Sequence, residues 1–213
     1  ERYFGGDLDV KKLLEVFLTF PGHNFVCRKP MTEVVMSKGH LDENVPCLKA
    51  QGFNPLDHID ALFMKPCRLT DVTSWHGHIP FAFLLTKILA PRILVELGVN
   101  KGDSYLSFCQ AVKAFNLKTE CFGIDTWRGD PQAGFYVEEV LERLKIHHDS
   151  LYGDFSKLIR STFDDAVTGF EDGSIDLLHI DGLHTYEAVR HDFTTWLPKM
   201  SARGVILFHD IAV

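Results

Sequence analysis

The chain has 213 residues, 46% of them hydrophobic and 24% charged, enough for one α/β domain with a packed core plus an appendage. A formal net charge of −7 argues against duplex nucleic acid as the main partner, because phosphate binding needs a basic surface. The 5 cysteines are odd in number and none has C-x-x-C spacing, so free thiols in a reducing, cytoplasmic compartment are expected rather than a disulfide framework or a zinc site.

The opening ERYFGGDLDVKK lacks the basic, apolar and small-residue pattern of a signal peptide, and without an initiator Met the sequence reads as either a fragment or a processed form. Asp9–Phe20 reads as a helix with Leu13, Leu14, Phe17 and Leu18 as its apolar positions. Pro and Gly then punctuate the chain to about residue 70, and residues 1–70 are set apart as an irregular, partly helical extension from a domain over residues 71–213. The apolar stretch 79–97 is broken by Lys87, Pro91 and Arg92 and is no membrane span.

From there strand and helix alternate. Pro80–Ala90 reads as a helix with Pro at its first position, and Ile93–Leu97 as a strand buried on both faces. Ser104–Phe115 is an amphipathic helix and Cys121–Ile124 the second strand. Tyr136–Ile146 is a helix, Ser150–Tyr152 a weak third strand and Phe155–Val167 a further helix. Ile175–Ile180 is the fourth strand, Tyr186–Leu197 a helix and Val205–Phe208 the fifth strand. Five such units imply a doubly wound, mostly parallel sheet with helices on both faces and ligands beyond the carboxyl ends of the strands.

The residues at those ends carry the chemistry. After the first strand, Glu96-Leu97-Gly98-Val99-Asn100-Lys101-Gly102-Asp103-Ser104 lets the backbone turn tightly against a ligand and presents the N–H groups of the next helix. Asn100 stands where a dinucleotide loop has its second glycine, and Glu96 repels phosphate but suits an ammonium, so an adenosyl amino acid fits better than a pyrophosphate. Asp125, ending the second strand, is placed for ribose hydroxyls. Asp154 is placed either for an adenine amino group or as a helix cap. The fourth strand ends at Asp181-Gly182-Leu183-His184 and the fifth at His209-Asp210. As neighbours, these strands would bring Asp181, Asp210 and His209 to one point, a set suited to Mg²⁺, with His184 close by. The alternative is that Asp181 contacts the cofactor and Asp210 caps a loop. His76 and His78 precede a helix and could line the pocket, though a structural role is preferred for them, and His147, His148 and His191 are assigned to structural or surface roles.

VELGVNKGDSYLSFCQAV, GIDTWRGD and SIDLLHIDGLHTYEAVRHDFTTWLPKMSARGVILFHD resemble class I SAM-dependent methyltransferases. The similarity is nearest to a bacterial subgroup associated with glycosyltransferases of surface-polysaccharide assembly and related to macrolide-sugar O-methyltransferases. It runs from about Asp71 to the end. It implies S-adenosylmethionine held at Glu96, Gly98 and Gly102, with Asp125 on the ribose, and Mg²⁺ at Asp181 and Asp210; Asn100 and Ser104 of the same loop are further cofactor candidates. The position of His209 is acidic in some relatives. His184, beside Asp181, is the candidate base for methyl transfer to a hydroxyl of a sugar or small natural product. The partners implied are a small-molecule or glycan acceptor, a second copy of the chain or a glycosyltransferase. Members of that fold continue past the fifth strand with an antiparallel hairpin, whereas this chain stops at Val213. The fifth strand is therefore expected as an open edge, unless the chain is a fragment, another chain covers it, or residues 1–70 do. Two other functions stay open: an inactive module of a larger polysaccharide-assembly protein, and an NAD-dependent oxidoreductase or epimerase.

Overall fold

The computed structural model describes residues 25–28, 55–130, 134–135 and 137–209; the Asp9–Phe20 segment and Asp210 lie outside them. In chain order the elements begin with strand β1 (Phe25–Arg28), helix α1 (Ile79–Leu89), β2 (Ile93–Leu97), α2 (Asp103–Ala114) and β3 (Glu120–Asp125). A small hairpin, β4 (Gly129–Asp130) and β5 (Gly134–Phe135), precedes α3 (Glu139–Tyr152), β6 (Ser156–Arg160) and the single turn α4 (Phe163–Ala166). The chain then forms β7 (Ile175–Ile180), α5 (Tyr186–Trp196) and β8 (Met200–Phe208).

One six-stranded sheet runs in the order β1-β8-β7-β2-β3-β6. β2 pairs in parallel with β3 and β7, and the chain reverses its winding between β2 and β7, which opens the crevice at their carboxyl ends. The Ile-Leu-Val run of β2 and the Ile-Leu-Leu character of β7 follow from burial on both faces. One face packs Leu94, Leu177, Val205 and Leu207 under α1 and α2; the other packs Val95, Leu97, Leu178 and Ile206 against Phe193 and Trp196 of α5. α2 is more enclosed than an amphipathic pattern suggests. Residues 67–70 strap over it: Cys67 N–H donates to Gln110 Oε1 at 2.8 Å and Thr70 N–H to Asp103 Oδ1 at 2.8 Å. A 3-10 helix over Pro55–Phe63 buries Ala61 beside α1, so the stretch just before residue 70 shares the core.

Two expectations need correction. Ser150–Tyr152 is the last turn of α3, and the third parallel strand is β6, inside the stretch expected to be helical. β6 is an edge strand whose Lys157 and Arg160 interrupt the apolar run, so Leu158 and Ile159 followed by Phe163 imitate helical spacing. The helix after it is short because Thr162 caps a new start, its side chain accepting from the Asp165 N–H. The edge of the fifth parallel strand is covered from within residues 1–70, one of the expected alternatives: Phe25–Arg28 pairs antiparallel with it, Phe25 opposite Phe208 and Arg28 opposite Val205.

At the amino ends, buried Asp176 holds the sheet together. It accepts from Arg92 N–H at 2.8 Å, from Arg92 Nε and Nη2 at 2.9 Å each, and from Ser201 Oγ at 2.6 Å. Burial alone would raise its pKa, but the Arg92 guanidinium and these hydrogen bonds hold it well below the usual carboxylate range.

Candidate active site

β2 ends in a loop whose conformation explains its composition. Gly98 and Gly102 have φ of +90° and +91°, and Asn100 takes the left-handed region at 50°. A Cβ on Gly98 would lie 2.1 Å from the Asp181 carbonyl oxygen, so the turn after β2 and the turn after β7 meet backbone to backbone. Asp125, at the end of β3, organises this loop. Its Oδ2 accepts the N–H groups of Val99 at 3.0 Å and Asn100 at 2.8 Å, and its Oδ1 accepts that of Trp127 at 2.7 Å. Trp127 is buried and donates its indole N–H to the Asn100 carbonyl at 3.0 Å. The Asn100 side-chain oxygen is buried with no hydrogen-bond partner among the described residues.

Glu96 and Ser104 do something other than expected. Glu96 is fully buried: Oε1 accepts from Ser104 Oγ at 2.6 Å and Oε2 lies 2.9 Å from His179 Nδ1. Both oxygens are engaged inside the protein, so no oxygen of Glu96 is presented to an ammonium group in this arrangement. Burial raises its pKa against the opposing pull of His179 and Ser104. Asp154 is likewise displaced from its expected place. It is exposed and precedes β6, at the amino edge of the sheet, because the strand that would have delivered it to the carboxyl edge is part of α3.

On the other side of the crevice, the parallel register Ile180 opposite Phe208 sets Asp181 and His209 side by side, one step past β7 and β8. The His209 N–H donates to the Ile180 carbonyl at 3.1 Å. Asp181 Oδ1 lies 3.2 Å from His184 Nε2 and 3.1 Å from His209 Nδ1. Burial would raise the Asp181 pKa; the bonds to His184 and His209 and the nearby His179 outweigh it and hold the group below its ordinary value. The structure thus brings together Asp181, His184 and His209.

In the wall behind this cluster, sequence reasoning offered His78 but missed Trp75 and His179. Trp75, buried, stacks on His209 at a centroid distance of 5.8 Å and meets His179 edge-on at 5.0 Å. His78 packs edge-on against both Trp75 and His209. The signal for His179 was its alternation with Leu177 toward the α1–α2 face, readable only once Glu96 is known to lie opposite it. His148 is a buried structural residue within α3, its ring nitrogens 2.7 Å from Asp149 and 2.7 Å from Ser156 Oγ. His191 pairs with Asp164 at the surface.

Residues 95–211, more than half of the chain, match the family model described as "Methyltransferase domain". The "Uncharacterized protein y4gI" of Sinorhizobium fredii (strain NBRC 101917 / NGR234) is 51% identical over 141 residues, which is 66% of this chain and 15% of that protein. The "Uncharacterized protein R132" of Acanthamoeba polyphaga mimivirus is 29% identical over 119 residues, 54% of this chain and 50% of that one. The chain therefore spans half or less of these curated relatives. Among solved structures, the SAH-bound Podospora anserina methyltransferase PaMTH1 superposes with a TM-score of 0.50 at 17% identity, over 84% of this chain and 73% of that one, a likeness of fold.

Proposed function

Because the chain belongs to the methyltransferase-domain family, we propose that it transfers a methyl group from S-adenosylmethionine to a hydroxyl oxygen of a sugar or small natural product. The observation that carries this reading is the backbone contact of Gly98 with Asp181, which joins an adenosyl-type loop to an acid–imidazole cluster across the switch point. When bound, S-adenosylmethionine supplies a methyl group on a sulfonium, open to in-line displacement by the acceptor oxygen. The rest of the work belongs to the protein.

Gly98, Asn100 and Gly102 shape a turn that a bulky side chain would fill. Asp125 is partly exposed, and a carboxylate that already accepts from three backbone N–H groups still has lone-pair capacity for a ribose hydroxyl. The buried Asn100 oxygen is an acceptor awaiting a donor. His184, oriented by Asp181 at 3.2 Å, is the base that takes the acceptor's proton. A divalent cation at Asp181 would lower the pKa of the acceptor hydroxyl. The glycan-type acceptor, and association with a glycosyltransferase or a second copy, rest on the resemblance carried by residues 174–210. Among the described residues no helix is long and apolar enough to cross a membrane.

The test is a thermal-shift and calorimetry panel with S-adenosylmethionine, S-adenosylhomocysteine and NAD. The two adenosyl sulfur compounds should bind, and ligand at a hundredfold its Kd should stabilise the protein by about 2.7 kcal/mol. A shift with NAD alone would overturn the reading. Binding without turnover on any hydroxylated acceptor would move the protein to the inactive-module alternative.

A further inference from the structure

Helix α2 starts at Asp103, directly after the positive-φ Gly102, which brings no side chain to cap it. An aspartate at a helix's first position ordinarily favours the helix's own N–H groups. Both oxygens of Asp103 are engaged by the segment before α1 instead. Thr70 donates to them twice, its N–H to Oδ1 at 2.8 Å and its hydroxyl to Oδ2. His76 Nε2 stands 3.7 Å from the same Oδ1. The Asp103 side chain is 5% accessible, so these partners make up for the water it has lost.

The other flank of Gly102 is held by the same segment. Arg68 Nη1 donates to the Lys101 carbonyl at 2.6 Å, and Lys101 Nζ pairs with Asp71 Oδ1 at 2.6 Å. Residues 68–71 therefore grip both neighbours of the glycine that closes the cofactor loop. Beyond them the chain enters the 3-10 turn Thr73–His78, which carries Trp75 to its place against His179. One buried carboxylate thus reaches both the start of this segment and the turn that holds up the back wall of the crevice.

We propose that Asp103 and Thr70 are positioning residues for the methyl transfer. They hold the Lys101–Gly102 turn in the shape that receives the cofactor and tie it to the Thr73–His78 turn. Occupying the cofactor site therefore firms the wall behind the crevice before an acceptor enters. The identity of the cofactor rests on the proposed function; the coupling rests on the contacts of Asp103. Fastening the segment to α2 does not need these bonds. Cys67 N–H already donates to Gln110 Oε1 at 2.8 Å, and Gln110 Nε2 returns a bond to the Lys65 carbonyl at 2.8 Å. The further bonds converge on Lys101 and Asp103, where a shift of about 1 Å would misplace the backbone that meets the ligand.

Calorimetry with S-adenosylhomocysteine on the full chain, joined to amide hydrogen exchange, tests this. Thr70→Val keeps the side chain's size and the backbone bond and removes the hydroxyl. We expect Thr70→Val and Asp103→Asn each to weaken S-adenosylhomocysteine binding roughly 5- to 10-fold. The double variant should lose little more, because the pair acts as one unit. Thr70→Ser, which restores the hydroxyl, should bind within about 2-fold of wild type. Asp60→Asn, which breaks a surface pair with Lys87, should leave binding unchanged. In the wild type, S-adenosylhomocysteine should slow exchange across residues 73–78, and in Thr70→Val that slowing should be lost. A tie with a structural role alone would lower urea stability while leaving affinity and ligand-induced protection as in wild type, and that result would overturn the proposal. Should Asp103→Asn fail to fold, Thr70→Val against Thr70→Ser makes the same comparison. A wild type that does not bind S-adenosylhomocysteine would overturn the methyltransferase reading itself, and this proposal with it.

Discussion

Asp125 shows how much one side chain is asked to do at this site. Its carboxylate holds the N–H groups of Val99, Asn100 and Trp127, and the proposed function also gives it the ribose. These demands separate by substitution. Asp125→Asn keeps the shape and one acceptor, while Asp125→Ala removes both oxygens. We expect the alanine variant to lose S-adenosylhomocysteine affinity by 10- to 100-fold, from the roughly 1.5–3 kcal/mol of a hydrogen bond to a charged group, and the asparagine variant to lose less. Calorimetry decides it; wild-type affinity in Asp125→Ala would remove this residue from the cofactor site. Gly98 is a harsher probe, because a side chain there is strained by its φ of +90° and also strikes the Asp181 carbonyl. Gly98→Val should abolish cofactor binding and disturb the Asp181 cluster together, a coupling that a simple loop lesion would not produce.

Elements differ in how plainly the sequence announces them, and the difference is physical. β2 and β7 are legible to the residue, because strands buried on both faces leave uninterrupted apolar runs. β6 is not, because its edge position admits Lys157 and Arg160 and so erases that run. The candidate site follows the same rule. Gly98, Gly102, Asp125, Asp181 and His184 sit where strand ends must put them, while the Glu96–His179 pair and the Trp75 stack depend on contacts between elements far apart in the chain. Asp154 fails for the reason β6 does. Asp176 belongs at this scale too, since it ties the amino ends of β2, β7 and β8 through Arg92 and Ser201. Replacing it with Asn should cost roughly 2–3 kcal/mol at neutral pH by weakening charge-assisted bonds. Cofactor affinity should stay near wild type, because the bond lies at the opposite edge of the sheet. The folded-state pKa is lowered from 3.8, so the stabilisation is present above that value and lost as pH falls below it. Urea titrations of wild type and Asp176→Asn should therefore converge in acid; a constant gap down to low pH would refute this account.

Across the whole molecule two buried carboxylates, Asp176 and Asp192, carry opposite pH demands. Asp192, on α5, is buried against the turn that presents Asp181 and His184, its Oδ2 lying 3.4 Å from where a Cβ on Gly182 would stand. Burial pushes its carboxyl up to about 6; His191 pulls the other way, and Asp164 adds to the rise. The folded state therefore holds a proton that the unfolded chain releases near 3.8, the ordinary value for this group. The stability linked to that proton is fully present below 3.8 and is lost as pH rises through about 6. At neutral pH the fold carries the cost of an ionised, enclosed carboxylate, roughly 2–3 kcal/mol for a shift of this size, and α5 is the element best placed to relieve it by loosening from the turn. Asp192→Asn should flatten the fall in Tm between about pH 4 and pH 7 and leave the variant more stable than wild type at the upper end. Thermal melts across that range check the sign directly, and hydrogen exchange in α5 locates it: protection there should weaken with rising pH in wild type and hold steady in the variant. A wild-type Tm that climbs through pH 6 as steeply as the variant's would show that Asp192 does not govern this face.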